Sequence, residues 1–498
     1  MDNDDRAVVW HHIIRIAKKG ATSAPVMASG RSGARGERMT AHGEHIRAQS
    51  HPTEPRLHTA VLRETTEFTS LEEEWDELYE SCPSATPFQS WAWLYSWWEA
   101  YGGAYDLRLI TFRDAGGLLV GLLPLMVRRW PSFGRLLLIG GDKGTLYSDV
   151  VTPYKDVLVR DGWEEPVARA GARALAELDG WRVADLQELM PEATAWGLFR
   201  AWGGPKTSVP ITDYVLMRAD SWEELLSSLS RKLRKTARRT LRRAEQDGLR
   251  CEPAGAEEAE RAAHTLVALH RELFRERRID PEDLTPRFEA FMEATARRMT
   301  ARGIGRISEF RRDDAVLVSQ FLVFDKDFVG VYVIGASQEA SRRYQFMTLF
   351  NWDAIDVAYS KGSAYVSWMH YVSQDKLRWA SEVVTSQRAI LGRKRVSLWA
   401  PYAGYYLLRD RCRALRSETQ SYMHSESAPG WIRNATQRYY ALLSYVHSED
   451  APLWIKSATQ RYWKLRGKYG SGWLRYKYEN ARASRQMEKN TISKGDSE

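Results

Sequence analysis

The sequence predicts a mixed α/β protein in which one order of strands and a helix occurs twice, with a helical appendage at the C-terminal end. Three observations predict it. Residues 306–379 read as strand, turn, strand, turn, strand, loop, helix and strand. The stretch from Leu57 to Met217 repeats the β-β-β-α-β order. Beyond about Ser417 the pattern gives way to a 23-residue repeat, SESAPGWIRNATQRYY at 425–440 and SEDAPLWIKSATQRYW at 448–463. Four segments are therefore expected: a disordered leader over 1–55, a first folded unit over 56–217, a second over 218–400 with a basic helical lead-in, and a basic, aromatic helical tail over 401–498.

Composition sets the class. The chain is 44% hydrophobic and 27% charged, ordinary for a soluble globular protein. Its net charge of +8 is compatible with phosphorylated cofactors, sugar nucleotides, nucleic acid or anionic lipid. Cys82, Cys251 and Cys412 stand far apart, without metal or redox spacing, so no metal site is expected and a reducing cytoplasm fits best. No apolar run approaches the ~20 residues of a membrane span. Val8–Ala17 is interrupted by two His and an Arg and makes a poor signal-peptide core.

In the first unit, Ser70-Leu71-Glu72-Glu73 has the form of a capping box opening a helix. QSWAWLYSWWEAY at Gln89–Tyr101 is a Trp-rich helix. Leu107–Phe112 and Leu118–Val127 pair as strands across a turn at Asp114–Gly117. Arg135–Ile139 and Tyr147–Val151 are short strands around the Gly140–Gly144 loop. Glu164–Leu178 is a helix, Trp181–Leu189 a strand, Ala193–Trp202 a helix and Asp213–Met217 a closing strand.

Ser221–Asp247 is helical, with Leu229, Leu233, Ala237, Leu241 and Ala244 as an apolar seam. Arg231, Lys232, Arg234, Lys235, Arg238, Arg239, Arg242 and Arg243 crowd the rest of the surface. They repel one another unless an anion is near. The face is either solvated or a phosphate-binding surface. Glu257–Arg277, carrying His270, and Pro286–Ala301 are further helices. Ile307–Arg312, Ala315–Phe324 and Phe328–Gly335 form a meander closed by turns at Asp313-Asp314 and Asp325–Asp327. A helix with Phe346, Leu349, Phe350, Ala354, Val357 and Ala358 on one face ends at Gly362, and Tyr365–Met369 is a strand. Gln320 and Tyr332 place polar groups inside apolar strands, where each needs a partner or faces a cleft.

Three meandering strands, a crossover helix and another strand are the core order of the GNAT acyltransferases, which the chain resembles over roughly Leu57–Ser397. More narrowly it is similar to the bacterial acetyltransferases linked to exopolysaccharide or cellulose synthesis, a branch similar to the tandem-GNAT Fem-type ligases of peptidoglycan. Leu269-His270, Tyr332 with Gly335, and Lys376-Leu377-Arg378-Trp379 carry the resemblance. It implies a tandem pair of GNAT-like folds and an acyl-CoA-dependent N-acyltransferase, with acetyl-CoA or another acyl-CoA as cosubstrate. The acceptor would be an amine of a sugar nucleotide, glycan precursor or small metabolite. The donor diphosphate would lie at the helix after the third strand, near Ser341, Arg342, Arg343 and Gln345. The family's Gly-containing diphosphate pattern is absent there. Tyr332 and His370 take the catalytic positions. Tyr147 and Asp149, which match a Tyr-x-Asp pattern, join Gln320 and Lys376 as substrate-binding residues.

Two other functions fit the same residues. An aminoacyl-tRNA-dependent ligase would use the basic helix for RNA. A non-catalytic scaffold in envelope or polysaccharide assembly would use the tail. From Ser417 onward the chain has 13 Lys/Arg against 8 Asp/Glu, with Trp, Ala and Tyr on one face of each repeat. Such helices lie on an anionic membrane, giving a peripheral location at its inner face, or fold back on a protein surface.

Overall fold

The apolar strands of both predicted groups enter one sheet. The computed structural model describes residues 56–130, 133–142, 150–218, 221–274, 285–370, 373–393 and 398–424. The expected leader, the strand Tyr147–Val151 up to position 149, and the 23-residue repeats lie outside them.

The first half runs β1 (His58–Leu62), α1 (Thr65–Ser70), α2 (Glu72–Glu80), α3 (Trp91–Tyr101), β2 (Asp106–Arg113), β3 (Leu119–Trp130), β4 (Phe133–Leu138), β5 (Leu158–Val159), α4 (Glu164–Glu177), β6 (Val183–Leu189), α5 (Ala195–Ala201) and β7 (Lys206–Arg218). The second runs α6 (Trp222–Ser228), α7 (Arg231–Gln246), β8 (Arg250–Pro253), α8 (Ala259–Leu273), α9 (Pro286–Ala301), β9 (Gly305–Arg312), β10 (Ala315–Asp325), β11 (Phe328–Ala336), α10 (Gln338–Arg343), α11 (Phe346–Lys361), β12 (Tyr365–Ser367), α12 (Gln374–Leu377) and β13 (Glu382–Gly392); α13 (Trp399–His424) follows. The strand order is β1-β2-β3-β4-β6-β13-β7-β12-β11-β10-β9-β8, with β5 beside β3. Each half thus sends its last strand into the other. β13 lies between β6 and β7, and β7 between β13 and β12. This exchange extends the expected strand Asp213–Met217 back to Lys206.

Buried side chains divide between the two faces. One face is covered by α2, α3, α8 and α9, whose core is continuous across both halves. The other is covered by α4 and α5 in the first half and by α6, α7 and α11 in the second. α13 packs on the first face through Ala403 and Tyr406, against Val183, Val209 and Ile390. Ionic and aromatic contacts tie the halves together. Trp93 meets Phe291 edge-on at 5.4 Å, Tyr79 donates to Asp325 at 2.6 Å, and Arg302 reaches Asp76 at 2.9 Å.

Local signals explain most boundaries. Ser90 caps α3 by accepting from the Trp93 N–H, and Gly362, at φ 70°, ends α11 in the left-handed conformation that glycine tolerates. The capping box expected at Ser70 does not form. Ser70 closes α1, its hydroxyl donating to the Glu67 carbonyl. Glu67 supplies the reciprocal bond one turn earlier, accepting from the Glu64 N–H at 2.9 Å. Gly335 has a packing reason. A Cβ there would stand 2.7 Å from the His270 backbone nitrogen and 2.9 Å from the Leu266 carbonyl. Leu269-His270 and Gly335 are therefore two sides of one close helix–strand contact, which the His270 Nδ1 reinforces with the Ile334 carbonyl at 2.7 Å.

Candidate active site at the sheet centre

Two parallel strand pairs with the same connection occur in this sheet. In the first half β4 and β6 pair at Arg135↔Val183 and Leu136↔Ala184. In the second β11 and β12 pair at Val329↔Val366 and Gly330↔Ser367. Beyond two residue pairs each couple diverges, and what fills the divergence differs.

The first is closed by charge. Asp142, in the segment after β4, accepts from Gln187 of β6 at 3.0 Å and pairs with Arg135. Arg128 lies 3.7 Å from the same carboxylate. Gln187 also donates to Asp185 at 2.8 Å. Tyr402 of α13 donates to Asp185 at 2.6 Å, and Arg388 of β13 stands 3.3 Å from it. All these charged groups are buried. Burial and the Asp185 charge push the Tyr402 phenol far above its usual range.

The second divergence is not closed this way. β12 stops at Ser367, whereas β11 continues through Val331–Ala336. Val331 pairs with Leu322 and Val333 with Phe321, so Tyr332 is the extra residue of a bulge. Bulges re-aim side chains and recur beside active sites. The Tyr332 ring turns into an aromatic cluster, edge-on to Trp93 at 4.7 Å and tilted on Phe88 at 6.1 Å. After β12 the chain turns away at Met369, whose φ is 51°.

Three non-glycine residues with positive φ meet here: Tyr154 at 49°, Glu188 at 59° and Met369 at 51°. Such backbone is held only where the surroundings over-determine it, and it gathers at functional sites. The Glu188 carboxylate accepts from Thr212 at 2.7 Å, Tyr214 at 2.8 Å and Ser386 at 2.9 Å. Offsets in the pairing of β13 with β6 and β7 bring these strands' hydroxyls to one point. Tyr154 and Ser367 share a hydrogen bond of 2.7 Å. The Tyr214 ring packs edge-on against Tyr154 at 4.8 Å and against His370 at 6.3 Å. Burial, then the Glu188 charge, raise the Tyr214 phenol well above its ordinary value.

The structure places the residues expected from sequence as follows. His370 is half-buried beside Tyr214, and Tyr332 joins it through the chain Phe88–Tyr154–Tyr214. Lys376 holds the His370 segment, its ammonium donating to the Trp368 carbonyl at 2.7 Å and the His370 carbonyl at 2.9 Å. The residue is half-buried, but its ammonium end is enclosed, and burial brings its pKa down to about 7. Gln320 is buried on the opposite face, donating to Asp353 at 2.6 Å and the Phe350 carbonyl at 3.2 Å. Gln345 caps α11, accepting from the Thr348 N–H at 2.7 Å. Arg343 is paired with Asp247, whose carboxyl it holds far below the usual range with help from Tyr344. Arg342 is exposed, and the Ser341 hydroxyl is buried without a hydrogen-bond partner among the described residues. Tyr147 and Asp149 lie outside the described residues. Trp93, Tyr154, Glu188, Tyr214, Ser367 and Ser386 were not legible as site residues. Only Glu188, an acid within the expected strand Trp181–Leu189, carries a signal that could have flagged it, and Asp185 in the same strand shares that signal.

With this geometry in view, residues 231–376 match the family model described as "Acetyltransferase (GNAT) domain". The matched segment spans α7 to α12 and contains the open divergence. The fold as a whole is mixed α/β, one large mixed sheet with helices on both faces. No curated protein matches. Among solved structures, the chain is similar to "Crystal structure of FemX", with 12% identity, 64% of this chain and 95% of that one covered, and a TM-score of 0.47. It is similar to "The structure of L-PGS from Bacillus licheniformis", with 12% identity, 68% and 96% coverage and a TM-score of 0.42. It is also similar to "Tandem GNAT protein from the clavulanic acid biosynthesis pathway (without AcCoA)", with 12% identity, 67% and 98% coverage and a TM-score of 0.34.

Proposed function

We propose that the second half transfers an acyl group from an acyl-CoA thioester to an amine, and that the first half supplies one wall of the acceptor site. The observation that carries this reading is the run of β11 from Val331 to Ala336 past the end of β12, with a bulge at Tyr332. The donor enters there. Its diphosphate is held by Arg342 and by the N–H groups of Phe346 and Met347, which open α11 ahead of the Gln345-capped Thr348; the buried Ser341 hydroxyl joins them only if the loop shifts. Arg343 contributes only if an incoming phosphate displaces Asp247.

The acceptor nitrogen attacks the thioester carbonyl carbon, the C–S bond breaks and the thiolate leaves. His370 takes the proton from the nitrogen, and Tyr332 returns one to sulfur. Glu188 fixes the Tyr214 hydroxyl and so sets the surface on which His370 rests. Lys376 fixes the His370 backbone. The acceptor class is an amine on a sugar nucleotide, glycan precursor or small metabolite.

The test is a melting curve with acetyl-CoA. At roughly a hundredfold excess over Kd, binding stabilises the protein by about 2.7 kcal/mol. Arg342→Ala diminishes that shift, and His370→Ala keeps it while lowering turnover of a responsive amine by ~10²–10⁴-fold. A folded protein whose midpoint ignores acetyl-CoA contradicts the reading.

One observation favours a second donor. Arg231, Lys232, Lys235, Arg239 and Arg242 are exposed on α7 without an acidic partner among the described residues. Their stripe runs toward the loop before α11, where Arg243 donates to the Arg343 carbonyl at 3.3 Å. An aminoacyl-tRNA donor would use that stripe. Its signature is RNA affinity that falls steeply with salt and is lost in Lys235→Glu/Arg239→Glu.

A further inference from the structure

A cleft of about 760 Å³ opens on the α4–α5 face of the first half, the side of the sheet away from Glu188 and His370. Its size suits a small organic ligand. Arg169, Ala172, Arg173 and Ala176 line it from one face of α4, at the spacing of helical neighbours. Arg182 comes from the turn before β6, and Ala201–Gly204 from the turn between α5 and β7. Arg393 follows β13 and completes the wall. It is brought here because β13 closes on the α5–β7 turn. Trp202 donates to the Gly392 carbonyl at 3.1 Å, and a Cβ on Gly204 would stand 2.6 Å from that same oxygen.

Among the described residues, every charged group lining this cleft is a cation, and no Asp or Glu lines it. Outside the cleft and the α7 stripe, several arginines have an acid beside them: Glu309 beside Arg261, Asp353 beside Arg306, Asp76 beside Arg302. Here Arg169 has Glu165 at 2.5 Å, and Arg393 spends one donor on the Ala176 carbonyl at 2.8 Å. Arg173 and Arg182 are exposed and have no acidic partner among the described residues. Guanidinium groups converging from three separate chain segments repel one another when nothing lies between them. Their planar forks match phosphate oxygens two at a time. Ala172, Ala176, Ala201 and Trp202 give the cleft an apolar floor for the uncharged part of a ligand.

We propose that this cleft is a binding site for a small molecule bearing two or more phosphate groups, separate from the acyl-transfer site and independent of whether that site uses acyl-CoA. The experiment is isothermal titration of the full chain with inorganic pyrophosphate and with ADP. It compares wild type, Arg173→Gln/Arg182→Gln, Arg173→Glu/Arg182→Glu and, as a control for total charge, Lys235→Glu/Arg239→Glu. The expected result is saturable binding by wild type, a loss of at least about tenfold in both cleft variants, and retention in the α7 control. Melting midpoints identify any variant that has unfolded, and both cleft residues are exposed. Equal loss in the α7 control, unchanged affinity in the cleft variants, or no binding of either probe at low salt overturns the proposal. If pyrophosphate also occupies the donor site, saturating CoA removes that component and leaves the cleft's behind.

Discussion

The β4–β6 and β11–β12 divergences share a topology and differ in chemistry. In the first, Gln187, Asp142 and Arg135 bridge the gap, and Asp185, Arg388 and Tyr402 back them. In the second, a bulge at Tyr332 and a positive φ at Met369 mark where the strands part, and the neighbouring cation Lys376 is turned onto backbone carbonyls. The same strand order creates a slot in each half, and a few side chains decide whether charge fills it. One half bridges its divergence with a buried ionic cluster; the other is lined by aromatic and apolar side chains instead.

Four predictions can break or sharpen this contrast. The largest effect belongs to the closed slot. Removing one partner of a buried ionic cluster leaves uncompensated charge, so Arg135→Met should cost about 3–5 kcal/mol, read by urea denaturation. A cost near zero would mean the cluster does not close the slot. The next concerns the wall of the open slot. Gly335→Ala forces a methyl against the α8 backbone and should cost about 1–3 kcal/mol, with acceptor kinetics changing in parallel as β11 shifts.

Lys376 gives a pH signature. Its folded pKa of about 7 lies below the ~10.4 of an unfolded lysine. Between those values the unfolded state binds the extra proton, so stability falls as pH drops from about 10 toward 7 and levels off below. Lys376→Met lacks this dependence. The stability difference between the two proteins should change by on the order of 1 kcal/mol per pH unit within that window, and a parallel pair of curves would contradict it. The smallest effect is that of Arg343→Ala. An exposed ion pair contributes little, so the melting midpoint should hardly move. A large drop would show the loop before α11 to be more tightly built than its exposure suggests.

The meander strands and the crossover helix were legible because each rests on local pattern: alternating or continuous apolar runs, turn residues, a helix stop at Gly362. The exchange of β7 and β13 was not. Glu382–Gly392 alternates apolar and polar residues only weakly, and nothing local says that it inserts beside β6. The centre of the site was hidden for the same reason. Glu188, Thr212, Tyr214 and Ser386 come from three strands that only the exchange makes neighbours. Gln320 shows that a polar residue in an apolar strand can spend its amide donor on the neighbouring helix, here on Asp353 and the Phe350 carbonyl.

A donor that binds the second slot and not the sealed first one protects only the second from solvent. Hydrogen exchange with mass spectrometry, with and without saturating acetyl-CoA, tests this most directly, because the two slots fall in different peptides. The account predicts slowed exchange over 331–347 and no change over 135–142 and 183–189. Slowing confined to the β4–β6 peptides would contradict it.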